Sequence, residues 1–217
     1  MNFKHEEQSL DLTINQLVIA GWTGRDRAAV DHHIEELAAL GISPPSQVPL
    51  FYRVSHTLLT RDKHIQVLGD TSSGEVEPLL IKAQNQWWLG LASDHTDREL
   101  EAYSVAASKQ ACPKPVASTL WSLAAIEDHL DSLILRCEIK ESGNWVTYQE
   151  GNLANIQPLQ GLQELSGLTD DSAMLCGTLG AIGSVRPAAD YRMSLEDPVL
   201  GRSIDLAYSV ETLAIIQ

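Results

Sequence analysis

Glu75 and Glu77 stand two residues apart in Ser73-Gly74-Glu75-Val76-Glu77, just ahead of the apolar run Leu79, Leu80 and Ile81. In an extended chain side chains alternate with a period of two, so both carboxylates point the same way. Their Cα atoms would lie roughly 6–7 Å apart, within reach of one cation. Two like charges aimed at one place repel unless they are well solvated or a cation lies between them. Asp94 is the natural third oxygen ligand. An all-carboxylate set of Glu75, Glu77 and Asp94 favours a hard cation, magnesium first, with manganese or calcium as alternatives, over zinc. It would leave coordination positions for water and substrate. Two competing readings stay open: the glutamates form the solvated face of a strand, and Asp94 caps a helix.

Other residues could complete such a site. His33 and Glu36 share a helix face at a spacing of three and suit the activation of water. His32 and Glu35 have the same spacing, and surface ion pairing explains either. Lys109 could hold a substrate oxygen or stabilise an enolate; it could also interact with a helix C-terminus. Arg53 and Arg98 could clamp a carboxylate or pair with the chain's many acids. Gly177-Thr178-Leu179-Gly180-Ala181-Ile182-Gly183 lacks a P-loop lysine and the dinucleotide spacing. Its backbone N–H groups could meet an anion, or it is a tight turn. Cys176 reads as core, and no partner is evident for His56, His64 or His129.

The elements that must position these groups read as α+β with a strand-rich core. Strands are expected over residues 10–14, 17–20, 48–54, 65–69 and 86–91. A helix over 27–40 has Asp26 as its N-cap and Gly41 as its C-cap. Thr96 and Glu99 have capping-box spacing, which predicts a helix to about Ser108. A third helix is expected over 118–130, with Trp121, Ala124 and Ala125 inward. Leu133 to Ile139 and Trp145 to Gln149 form a hairpin around Ser142-Gly143-Asn144. A short helix over 158–165, a strand over 173–176 and final strands over 191–195 and 203–210 complete the order.

The 217 residues suit one domain, 1–217, and 44 % hydrophobic residues suffice for a core. With 15 basic and 29 acidic residues the net charge is −14, which argues against nucleic acid as a partner. Three widely spaced cysteines suggest neither a disulfide framework nor a thiolate metal site. No membrane span or signal peptide is expected, and a cytoplasmic location follows.

Taken in order, these motifs resemble those of the fumarylacetoacetate hydrolase superfamily, the small single-domain kind. They are similar above all to a bacterial branch of it designated a domain of unknown function. Gly24-Arg25 through Glu36 resembles the family's Gly-Arg-Asn-Tyr stretch and its His-x-x-Glu lid helix, which places the catalytic pair on His33 and Glu36. Glu75-Val76-Glu77 is similar to its metal-binding Glu-x-Glu. Ser93-Asp94-His95-Thr96-Asp97-Arg98 resembles Asn-Asp-x-Ser-x-Arg, whose aspartate is the third ligand. Ser108-Lys109 with Pro113 resembles the Lys-Ser…Pro region and its active-site lysine, and Gly177 to Gly183 resembles Gly-Thr-Pro-x-Gly-x-Gly. Pro49-Leu50-Phe51-Tyr52-Arg53 stands where the family has Phe-Leu-Lys-Pro. Departures are Arg53 for lysine, Pro78 for leucine, Leu179 for proline and Leu153 for a hydroxyl residue. They retain the metal ligands and alter the substrate pocket.

The resemblance implies a mixed β-sandwich or roll with peripheral helices, and a homodimer. It also implies a divalent-metal-dependent hydrolase or lyase acting on a small 2-oxo or 1,3-dicarbonyl carboxylic acid. The reaction would be C–C hydrolysis, or decarboxylation or tautomerisation through a metal-bound enolate. The Gly177-Thr178 turn would hold the acid end. The alternative is a non-catalytic small-molecule or metal binding protein on the same fold.

Overall fold

Two mixed sheets face a shared core. The computed structural model describes residues 1–39 and 44–216, the side chains of His33 and Leu37 excepted. The first sheet has six strands in the order Trp121–Ser122, Gln86–Ser93, Val76–Ala83, Ser172–Leu175, Gln16–Gly21 and Leu50–Val54. The second has five: Asn144–Asn152, Ile134–Glu141, Asp190–Asp197, Arg202–Leu213 and His64–Leu68. Each sheet contains one parallel pairing, Ser172–Leu175 with Gln16–Gly21 and Arg202–Leu213 with His64–Leu68. This is the strand-rich α+β architecture expected from the sequence.

The near-continuous apolar runs have a direct cause. Val18, Ala20, Val76 and Leu80 join the large cluster that also contains Leu135, Tyr191 and Leu206 of the second sheet. Their alternate neighbours Leu17, Ile19, Leu79 and Ile81 pack on a second cluster with Phe3, Leu12 and Leu120. A strand buried on both faces has no polar side to present. The 134–152 hairpin forms around Ser142 and Gly143, whose φ values of 50° and 85° are those of a primed hairpin turn.

Three expected elements differ. The chain is a strand only over Gln8–Asp11 near the first alternation, with Leu12 buried beyond its end. The helix expected over 96–108 is two: Arg98–Glu101, capped by Asp97, and Val105–Ala111, capped by Ser104. Each cap oxygen accepts an N–H from the first turn and so starts a new helix. No α-helix covers 118–130. Trp121–Ser122 adds a strand to the edge of Gln86–Ser93, followed by 3-10 turns over Leu123–Ala125 and Glu127–Ser132. Leu123, Ile126 and Leu130 are buried, whereas Ala124 and Ala125 are exposed. The first helix, Arg27–Ala39, is capped by Asp26, whose Oδ1 accepts from the N–H groups of Ala28 and Ala29. Its expected C-cap, Gly41, lies outside the described residues.

Candidate metal centre

One carboxylate oxygen from each of Glu75, Glu77 and Asp94 lies within 4.8 Å of the others. The ladder explains the convergence. Glu77 is the second residue of the Val76–Ala83 strand and Glu75 immediately precedes it. Val76 pairs with Ser93, and the Asp94 N–H donates to the Glu75 carbonyl at 3.0 Å. The end of one strand therefore sets Asp94 beside the start of its neighbour. Asp94 caps no helix; Asp97 does that.

Each carboxylate is held by the protein. The Gly177 N–H donates to Glu77 Oε2 at 2.8 Å. Gly177 has a φ of 97°, and a Cβ there would come within 1.7 Å of Thr23 Oγ1, so only glycine fits. The Thr178 hydroxyl donates to the Val76 carbonyl at 2.8 Å and accepts from Gln149 Nε2 at 2.8 Å. Gln149 Oε1 in turn accepts the Val76 N–H at 2.9 Å. Arg98 reaches Glu75 at 3.2 Å and Glu101 at 2.9 Å. Lys109 Nζ donates to Asp94 Oδ2, and Lys114 Nζ stands 3.2 Å from Asp94 Oδ1.

The charges are strongly perturbed. Burial pushes Glu77 well above the usual carboxylate range, and the Asp94 charge adds to this. Burial also raises Glu75, against the opposing pull of Arg98 and Lys109. Burial would raise Asp94 too, but Lys109 and Lys114 outweigh it and bring it to about 2. Lys109 is buried, yet Asp94, Glu75 and Glu77 hold its pKa above the ordinary lysine value. For Lys114 burial wins and the pKa falls.

The residues fit a divalent cation. The donors are all oxygen, which suits a hard ion. Asp94 Oδ1 is buried, and its near partner is the Lys114 ammonium at 3.2 Å. A carboxylate oxygen with one such partner keeps a lone pair for a ligand.

The centre opens on a cleft of ≈ 970 Å³. Glu75, Glu77, Arg98, Lys109, Gly177 and Thr178 line it, with Asp94 fully buried behind them. Arg53 is elsewhere: it is exposed and donates to Gln16 Oε1 at 2.9 Å. Glu36 is exposed and lies 3.4 Å from His32, a spacing of four rather than the expected three. The His33 side chain lies outside the described residues. Arg98 lines the cleft paired to Glu75 and Glu101, and Gly177 lines it with its N–H on Glu77.

Sequence reasoning missed Lys114, which lies between Pro113 and Pro115 and reads as loop. It also missed Trp22 and Tyr52, which line the cleft and are joined by an indole-to-hydroxyl hydrogen bond of 3.3 Å. The only signal for Trp22 was a large aromatic residue between Gly21 and Gly24. His129, for which no partner was evident, bonds Asp197 at 3.1 Å.

The family described as "Protein of unknown function (DUF2848)" matches residues 20–208. This chain belongs to the DUF2848 family. No curated protein matches the DUF2848 chain. Among solved structures, it is similar to 2-keto-3-deoxy-D-arabinonate dehydratase complexed with magnesium and 2,5-dioxopentanoate. The identity is 12 % and the TM-score 0.64, over 94 % of this chain and 75 % of that one. It is also similar to 5-carboxymethyl-2-hydroxymuconate delta-isomerase from Mycobacterium smegmatis, at 12 % identity and TM-score 0.59, over 96 % and 84 % of the two chains. A third is 2-hydroxyhepta-2,4-diene-1,7-dioate isomerase from Mycobacterium marinum, at 13 % and 0.61, over 95 % and 82 %. At these identities the likeness shows the fold, which is that of the fumarylacetoacetate hydrolase superfamily. Among the described residues no helix is long and apolar enough to cross a membrane.

Proposed function

We propose that this DUF2848 protein is a divalent-cation-dependent enzyme acting on small 2-oxo or 1,3-dicarbonyl carboxylic acids. The observation that carries the reading is the convergence of carboxylate oxygens of Glu75, Glu77 and Asp94 within 4.8 Å of one another at the cleft. These three residues would hold the ion, magnesium first, with manganese or calcium as alternatives. The ion supplies Lewis acidity and an orienting template for the substrate's carboxylate and oxo group. A structural neighbour complexed with magnesium and 2,5-dioxopentanoate, itself a 2-oxo acid, supports that pairing of ion and substrate class.

The chain's own residues supply the rest. Lys109 lines the cleft and is held protonated by the surrounding carboxylates. Its ammonium would stabilise negative charge developing on an enolate oxygen. Gly177 and Thr178 set the position of Glu77 and the cleft wall, which keeps the carboxylates in place without substrate. Among the described residues no histidine lines the cleft. The ion and Lys109 would suffice for decarboxylation, which needs no base; tautomerisation removes a proton at C3, for which His33 is the candidate base. Hydrolytic C–C cleavage depends on His33, with Glu36 behind it, as the base that activates water. A homodimer in the cytoplasm belongs to this reading, and the net charge of −14 suits a partner other than nucleic acid.

One observation favours the alternative of a non-catalytic binding protein. Arg98, Lys109 and Lys114 already compensate Glu75 and Asp94 within the protein. Deuterium exchange at C3 of pyruvate, followed by proton NMR with and without magnesium, separates the two. The enzyme reading requires magnesium-dependent exchange that Lys109→Met abolishes. Exchange no faster than in buffer, with pyruvate bound, would leave only the binding protein.

A further inference from the structure

The cleft says what the rest of the substrate is like. Beyond the carboxylates its walls include Trp22, Val30, Tyr52 and Val105. The aromatic pair is anchored at the charged end. Lys109 Nζ lies 6.0 Å over the Tyr52 ring, and Tyr52 Oη accepts from Trp22 Nε1 at 3.3 Å. The Tyr52 ring also packs on Gly21 of the Gln16–Gly21 strand, where a Cβ would come 2.8 Å from its Cε2. Trp22 has a φ of 61°, a left-handed conformation that a bulky residue adopts only when its surroundings impose it. Such strain clusters at ligand clamps. Both rings line the cleft, with Tyr52 beneath the Lys109 ammonium and Trp22 bonded to the Tyr52 hydroxyl.

The cleft's charges point the same way. Among the described residues its cationic side chains are Arg25, Arg98 and Lys109, and each has protein partners. Arg25 forms two 2.7 Å bonds to Asp131 and a third, of 2.8 Å, to the Ile156 carbonyl. Arg98 holds Glu75 and Glu101, and Lys109 holds Asp94. Asp26 and Glu101 add negative charge to the lining. Among the described residues of the lining, a second carboxylate on the substrate would lose its water and meet no cation without a protein partner.

We infer that the site selects 2-oxo acids carrying a single carboxylate and an uncharged, aromatic tail, with Trp22 and Tyr52 as the specificity-determining residues. The inference rests on the function proposed above. A volume of ≈ 970 Å³ exceeds what a three- or four-carbon acid fills and accommodates a ring.

Calorimetric titration in saturating magnesium tests it with three probes: 2-oxo-4-phenylbutanoate, 2-oxopentanedioate and pyruvate. The phenyl compound is expected to bind about tenfold or more tightly than pyruvate, from burial of its ring. The dicarboxylate is expected to bind no better than pyruvate. Trp22→Gly removes the indole at a φ that glycine adopts freely, and Tyr52→Leu is an independent second variant. Either should reduce the phenyl preference, read as the ratio of phenyl-compound to pyruvate affinity, severalfold. If pyruvate binds but the dicarboxylate binds as tightly as the phenyl compound, the substrate inference is wrong and the proposed function stands. A preference unchanged in both variants would also overturn it. If none of the three acids binds, the proposed function falls and the inference falls with it.

Discussion

Lys114 Nζ stands 3.2 Å from Asp94 Oδ1, both groups fully buried, while its hydrogen bond goes to the His95 carbonyl at 2.5 Å. With Lys109 on the other oxygen, Asp94 is gripped from both sides. That grip determines the behaviour of the centre.

Removing Lys114 leaves a buried carboxylate short of one counter-charge and a buried carbonyl without its donor. Breaking a buried pair from one side costs about 3 kcal/mol or more. Lys114→Met should therefore lose about that much in urea unfolding, and added magnesium should restore part of it. Wild-type stability in the variant would show that Lys114 contributes nothing to the site.

Gly177 offers a test of geometry. Alanine there meets both an unfavourable φ of 97° and Thr23 Oγ1 at 1.7 Å. Gly177→Ala should destabilise by about 2–4 kcal/mol. Because the Gly177 N–H holds Glu77, the variant should also weaken magnesium binding in a titration at a temperature where it remains folded. Unaltered affinity would separate the turn from the metal centre.

Asp197 predicts a pH dependence far from the cleft. Burial would raise its pKa, but the Leu200 N–H, His129 and Arg202 outweigh burial and lower it. A depressed folded-state pKa means that the unfolded chain binds the proton more readily. The stabilisation is then complete above the unfolded value of about 3.9 and is lost as pH falls through the folded value. Asp197→Asn should lower stability at neutral pH and flatten the acid limb of a melting-temperature profile. Parallel wild-type and variant profiles would contradict this.

The cluster Glu75, Glu77 and Asp94 was legible because it rests on local rules: a period of two, and a strand that ends just before Asp94. The 134–152 hairpin and the Asp26 cap were legible for the same reason. The segment 118–130 was not. The spacing of Trp121, Ala124 and Ala125 suits an α-helix, but the edge of Gln86–Ser93 takes Trp121 and Ser122 into the sheet and leaves Ala124 and Ala125 exposed. That choice is tertiary and leaves no local trace. Lys114 was invisible because a lysine between two prolines looks like solvated loop, and full burial of a lysine depends on distant Asp94. The Gly177 turn is legible as a glycine-rich turn, but its partner Glu77, a hundred residues away in the chain, is not.

The most direct test of the account is the effect of magnesium or manganese on the melting temperature of the wild-type protein. At a hundred times the dissociation constant a bound ion adds about 2.7 kcal/mol. In a chain of this length that is a rise of roughly 5–10 °C. The double substitution Glu75→Gln with Glu77→Gln should fold and show little of this rise. A rise in the wild type that the double variant lacks is the predicted result. An unchanged wild-type melting temperature at millimolar magnesium and manganese would contradict the metal centre itself.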